Sequence, residues 1–183
     1  MTPRIVGLDI STKRIGVALP NGRLRSISTG IVEHADDHAL VPARRNLTMT
    51  NRLGSMLRAL PETPTLALVE SPFVGGNSKK TTLRLVELGG CIRMALAALD
   101  IPFVEVLPVH VKQWATGKAA ASKADMISAA RSMGAEPADD DQADAFWLRD
   151  LGVSYFESDW SHFSELQRLI LATRVKFPAV SHT

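Results

Sequence analysis

Cysteine is almost missing from this sequence. Cys91 stands alone among 183 residues, so no intramolecular disulfide can form and no Cys-based zinc cluster can be built. Such a chain suits a reducing cytoplasm. An excess of one charge is missing too: 21 Lys and Arg face 19 Asp and Glu, a formal net charge of +2. That excludes a bulk polycation coating nucleic acid but leaves room for a specific site built from local patches. No apolar run approaches the roughly 18 residues of a membrane helix. Residues 1–6 lack an apolar leader core, so no secretory signal is expected. There is no internal repeat, no low-complexity tract, and no ligand spacing among the five histidines.

What is there describes a folded chain. Hydrophobic residues make up 45% and charged residues 22%, enough apolar surface for one domain with a real core. The N-terminal third reads as β. Ile5-Val6-Gly7-Leu8 is an apolar run ending at Asp9, and Ile15, Val17 and Leu19 alternate with small residues. Pro20-Asn21-Gly22 carries a hairpin turn, and residues 24–32 read as a third strand. The pattern then changes to helix–strand alternation. Helical spacing covers residues 47–60 and 83–99, with apolar strands over 66–69 and 103–106. Shorter helices are expected over 123–133 and 140–151, and a last amphipathic helix carrying Trp160, Phe163, Leu166, Leu169 and Ile170. This order predicts an α/β fold: an antiparallel β1-β2-β3 meander extended by two crossover strands into a mixed five-stranded sheet, flanked by helices. Residues 1–151 form the expected domain, and 152–183 a helical extension of unknown role.

Four carboxylates stand out. Asp9 and Glu70 both end apolar strands, where binding sites of α/β sheets commonly lie. In Asp139-Asp140-Asp141-Gln142-Ala143-Asp144, the pair Asp141/Asp144 shares one helix face, as does Asp140/Asp144, and spacing does not choose between them. The favourable dipole at a helix start accounts for Asp139 and Asp140; it accounts poorly for Asp144, which lies further in. An all-oxygen set without Cys or His favours Mg²⁺ or Mn²⁺. Two such ions can activate water and stabilise the leaving oxygen of a phosphodiester.

The stretch Gly7-Leu8-Asp9-Ile10-Ser11-Thr12-Lys13-Arg14-Ile15-Gly16-Val17-Ala18, then Val69-Glu70-Ser71-Pro72-Phe73, Val111-Lys112-Gln113 with Lys123, and Asp141-Gln142-Ala143-Asp144-Ala145 resemble, in order, the motifs of the RuvC-like Holliday junction resolvases of the RNase H-like superfamily. The resemblance covers residues 4–150. It implies an RNase H-like fold and a metal-dependent endonuclease of branched DNA. It implies Asp9, Glu70, Asp141 and Asp144 as the ligands of two Mg²⁺ ions (Mn²⁺ able to substitute), and two lysines that serve DNA binding and catalysis: Lys123 or Lys112 supports the charge that develops, with Lys112 also a DNA contact. Phe73 matches an aromatic that lies at the junction in that family. A homodimer, with the helix of Gly89-Gly90 near its interface, is implied as well, and a two-fold dimer suits two symmetric cuts. Divergent phage resolvases are similar, which would place the enzyme in a host cytoplasm. The sequence departs from the bacterial pattern at Ile10-Ser11-Thr12, in the acidic patch Glu33/Asp36/Asp37, and beyond Leu151.

Other residues support a DNA role. The loop bearing Phe73, Asn77, Lys79 and Lys80 mixes an aromatic, glycines and cations, as a wedge at an opened junction would; Lys118 lies in a flexible stretch within reach of a backbone. Arg44, Arg45, Arg52 and Arg58 share no clear face, and Trp114 and Trp147 read as core. Rival readings are a nuclease of flaps, forks or RNA-containing substrates, a DNA-binding protein that does not cut, and an actin-like ATPase fragment. The last needs a second, similar domain. No membrane contact and no nucleotide cofactor is expected.

Overall fold

A computed structural model of the chain describes residues 3–31, 40–72 and 79–178. Five strands, β1 (Ile5–Ile10), β2 (Arg14–Ala18), β3 (Leu24–Ser28), β4 (Leu66–Glu70) and β5 (Phe103–Val106), form one sheet in the order β3-β2-β1-β4-β5. The first three pair antiparallel, while β4 joins β1 and β5 joins β4 in parallel. The helices are α1 (Leu40–Arg58), α2 (Lys79–Ala97), α3 (Pro108–Thr116), α4 (Lys123–Ser132), α5 (Asp140–Tyr155) and α6 (Glu165–Leu169), the last continued by a π-helical turn over Ile170–Arg174. Among the described residues no helix is long and apolar enough to cross a membrane.

Strand periodicity divides the core in two. Val6, Leu8, Ala67 and Val69 point to one face and pack with Met49 and Leu53 of α1 and Leu88 and Ile92 of α2. Ile5, Leu66 and Leu68 point to the other, against Leu148 and Leu151 of α5 and Trp114 of α3. Side chains alternate along a strand, so Asp9 and Glu70 fall on the second face, the one α5 covers. There α5 lies unusually close. A Cβ built on Gly7 would collide with the carbonyl of Ala145, and one built on Gly16 with the carbonyl of Asp141. These two bare positions let the helix rest on β1 and β2.

Several elements differ from the sequence expectation. β3 stops at Ser28, and Gly30 beyond it takes a left-handed φ of 70°. α1 starts at Leu40, seven residues before its apolar spacing becomes visible, with Pro42 tolerated in its first turn. Of the arginines that share no clear face, Arg45 is buried in α1 and Arg52 donates to the carbonyl of Ser28. α3 was not expected at all. Pro108 opens it, where a missing N–H costs nothing, and Gly117 closes it at a φ of 74°. Trp160 and Phe163 precede the short α6 rather than lying on it, yet both pack on the core shared with Trp114. Among the described residues a Cβ on Gly89 or Gly90 would meet only the Arg93 guanidinium, at 3.3 Å and 3.9 Å, so no described helix of the same chain accounts for the glycine pair.

Candidate active site

The parallel register pairs Leu8 with Val69, and the next step brings Asp9 beside Glu70. Asp9 is buried and Glu70 half-buried. Their carboxyls lie within hydrogen-bond reach, and burial first, then mutual repulsion, pushes Asp9 well above the usual carboxylate range. Burial also raises Glu70, against the pull of its bond to Asp9 and of the Lys112 ammonium. Two carboxyls this close share a proton until a cation replaces it.

The other two acids descend from α5. Asp139 caps that helix by accepting from the Gln142 N–H at 2.9 Å, which fixes where the first turn begins. Asp141 and Asp144 then face the sheet, consistent with their three-residue spacing. Asp144 is pushed up to about 7 by burial and by the charges of Glu70, Asp140 and Asp141, with Lys112 opposing. Its Oδ1 is buried with no hydrogen-bond partner among the described residues. Asp141 is buried, and its Oδ2 accepts from Arg14 Nε at 2.6 Å.

The lysines divide their attention. Lys112 on α3 bears electrostatically on Glu70 and Asp144. Lys123, at the start of α4, pairs with Asp140, and that partner raises its ammonium while lowering the carboxyl. Lys79, Lys80 and Lys118 are exposed. Phe73, Asn77 and the patch Glu33/Asp36/Asp37 lie outside the described residues.

Sequence reasoning missed one site residue and the role of another. Arg14, five positions after Asp9, reaches α5 across the sheet, and Asp140, weighed in the sequence as a helix-start acid and a partner of Asp144, has the unforeseen role of anchoring Lys123. The available signal was a lone arginine opening β2, to be set against the acidic run far along the chain. Among the described residues no three His, Cys, Asp or Glu side chains converge tightly enough to ligate one ion together. Instead Asp9 leans on Glu70 and Asp141 on Arg14, as unneutralised carboxylates must. The donor set nonetheless fits a divalent cation. All its donors are oxygens, it holds a buried acceptor without a partner at Asp144, and its repulsions call for positive charge.

A family model described as "Crossover junction endodeoxyribonuclease RuvC" matches residues 5–149. The chain belongs to the RuvC family. A RuvC crossover junction endodeoxyribonuclease from Roseiflexus sp. (strain RS-1) is 32% identical over 148 residues, covering 78% of this chain and 85% of that protein. One from Synechococcus sp. (strain CC9605) is 30% identical, covering 78% and 92%. In fold, the chain is similar to T. thermophilus RuvC in complex with a Holliday junction substrate, with a TM-score of 0.61 at 18% identity, covering 79% of this chain and 89% of that one. The mixed sheet and its flanking helices are thus the RuvC, RNase H-like arrangement. The RuvC match ends inside α5, just after the fourth acid.

Proposed function

We propose that this RuvC-family endonuclease hydrolyses phosphodiester bonds of branched DNA, four-way junctions foremost, at Asp9, Glu70, Asp141 and Asp144. The single observation that carries the reading is that Asp144, whose buried Oδ1 lacks a partner among the described residues, lies near enough to the strand-end acids Asp9 and Glu70 for their charges to bear on one another. These residues would hold two Mg²⁺ ions, with Mn²⁺ able to substitute. Bound there, the ions supply an activated water and offset charge on the leaving oxygen.

The chain's own residues do the rest. Asp9 and Glu70 surrender their shared proton when the site fills. Lys112 offsets charge at Glu70 and Asp144, and Lys123, released from Asp140, reaches the phosphate at which charge develops. Lys79, Lys80 and Lys118, with Phe73 and Asn77, contact the DNA backbone and the opened junction. Residues 1–151 carry the nuclease and 152–183 extend it.

We further propose that the enzyme works as a homodimer in the cytoplasm. On α2, Leu83, Val86 and Met94 are exposed and with Gly90 share one helical stripe, and Met94 lines a cleft with the exposed Leu47 of α1. An apolar stripe of this kind supports a second copy as its cover.

Cleavage of a four-way junction, a flap, a duplex and an RNA–DNA hybrid, each titrated with Mg²⁺, tests the reading. Mg²⁺-dependent cutting that favours the four-way junction is expected. Preferential cutting of flaps or hybrids would move the substrate assignment, and binding without cutting at any Mg²⁺ concentration would remove the catalytic one.

A further inference from the structure

Arg14 opens β2 with its backbone locked in place. Its N–H donates to Ser11 Oγ at 3.1 Å, and its carbonyl accepts from Ser11 N–H at 2.9 Å and Ser11 Oγ at 3.0 Å. From this anchor the guanidinium spans to the start of α5. Nε donates to Asp141 Oδ2 at 2.6 Å, while Nη1 lies 3.5 Å from Asp139 and Nη2 4.0 Å from Asp140. The three acids are not equivalent. Asp139 is occupied as the helix cap and Asp140 by Lys123, so the tight bond goes to Asp141.

A structural tie between β2 and α5 does not need this bond. The helix start is already fixed by the Asp141 carbonyl resting on Gly16, by the Asp139 cap, and by Gln142 Nε2 donating to Ser26 Oγ at 2.9 Å. Among the described residues, the hydrogen bond found on the Asp141 carboxylate itself is the one from Arg14. We infer that Arg14 is a positioning residue for Asp141, holding one carboxylate oxygen so that the other is presented to a divalent cation. The inference rests on the metal site proposed above.

The opposite effect, a cation that repels an incoming metal ion, is weaker. The Arg14 side chain is 42% exposed against 9% for Asp141, so water screens the guanidinium charge while the hydrogen bond to the buried carboxylate persists. Lysine is no substitute, because an ammonium carries the charge without the planar, directed Nε–H.

The test is Mn²⁺ binding to the full-length, DNA-free protein, read by the electron paramagnetic resonance signal of free Mn²⁺, with urea unfolding alongside. Arg14→Gln is expected to weaken Mn²⁺ binding by about tenfold, the usual cost of removing a group that orients a ligand, in protein that still unfolds cooperatively, at a midpoint lowered by the loss of the Asp141 partner. Arg14→Lys should be comparably weak, and serves as the second variant should Arg14→Gln not fold. Ser26→Ala, which cuts another tie to the same helix, should bind Mn²⁺ as the wild type does. Equal or tighter binding by Arg14→Gln, full restoration by Arg14→Lys, or an equal loss in Ser26→Ala overturns the inference. Wild-type protein that fails to bind Mn²⁺ overturns the metal site itself, an outcome distinct from an unaffected Arg14→Gln.

Discussion

The backbone carbonyl of Asp141 occupies the space that a side chain on Gly16 would need. Gly16 sits opposite Asp9 in the β1–β2 ladder, so this contact sets how far the α5 acids stand from the sheet acids. Gly16→Ala must push the start of α5 outward, because the obstacle is backbone rather than a yielding side chain. Overpacking of this kind costs about 1–3 kcal/mol. The expected result is a lowered urea midpoint together with a loss of junction cleavage larger than the lost stability explains. Wild-type cleavage by a folded Gly16→Ala would show that the spacing between α5 and β1 is not critical.

Asp144 gives the metal-free protein a pH dependence of unusual sign. It ionises near 3.8 when unfolded and at about 7 when folded, chiefly because it is buried. Between those values the native state holds a proton that the unfolded chain does not. Stability in EDTA therefore falls as pH rises from about 4 to about 7, by something of the order of a few kcal/mol, and levels off above. Asp9 and Glu70 are raised as well and act in the same direction. Asp144→Asn should flatten the slope, leave junction binding intact and abolish cutting. Mg²⁺ should stabilise the wild type more at pH 8 than at pH 6, since the ligands must lose protons to bind it. Thermal melts across this range, with EDTA and with Mg²⁺, check both signs.

The parts of this site that come from strands could be read in the sequence. Short continuous apolar runs identify β1 and β4, and the acid that ends each run lands on the same face of the sheet. The helix face shared by Asp141 and Asp144 follows from spacing, although its choice over Asp140/Asp144 came from the family resemblance. Arg14 could not be read, because its bond to Asp141 spans 127 positions and only the closed sheet brings the two together. α3 was hidden by Pro108, a residue that stops helices from within but starts them well. α1 was shortened because Arg45 and Asn46, both buried, dilute its apolar stripe. The tail resisted because its apolar residues bury themselves through a short helix and a π turn, which break the 3.6-residue spacing.

The two lysines should separate by their pH profiles. Lys112 lowers Glu70 and Asp144 through its charge, so Lys112→Gln should move the acidic limb of the cleavage profile to higher pH. Lys123 is tied to Asp140, outside the four-acid set, and Lys123→Gln should reduce the rate with a smaller displacement of that limb. A shift in Lys123→Gln equal to that in Lys112→Gln would mean that both ammonium groups act on the same carboxylates.

Described residues past the RuvC match pack into the core between the sheet and α5. Ile170 is fully buried and belongs to the same cluster as Ile5, Leu68 and Leu148. Tyr155 stacks on Phe177 with ring centroids 3.7 Å apart, and Gln167 Nε2 donates to the Trp114 carbonyl at 3.1 Å. An appendage would tolerate truncation of its side chains. A core element loses the transfer energy of the buried groups and gains a cavity, about 2–5 kcal/mol for Ile to Ala. Ile170→Ala is accordingly expected to lower the urea midpoint of the single unfolding transition without splitting it. A separate low-stability transition, with the main midpoint unmoved, would instead make residues 152–183 an independent unit docked on the enzyme.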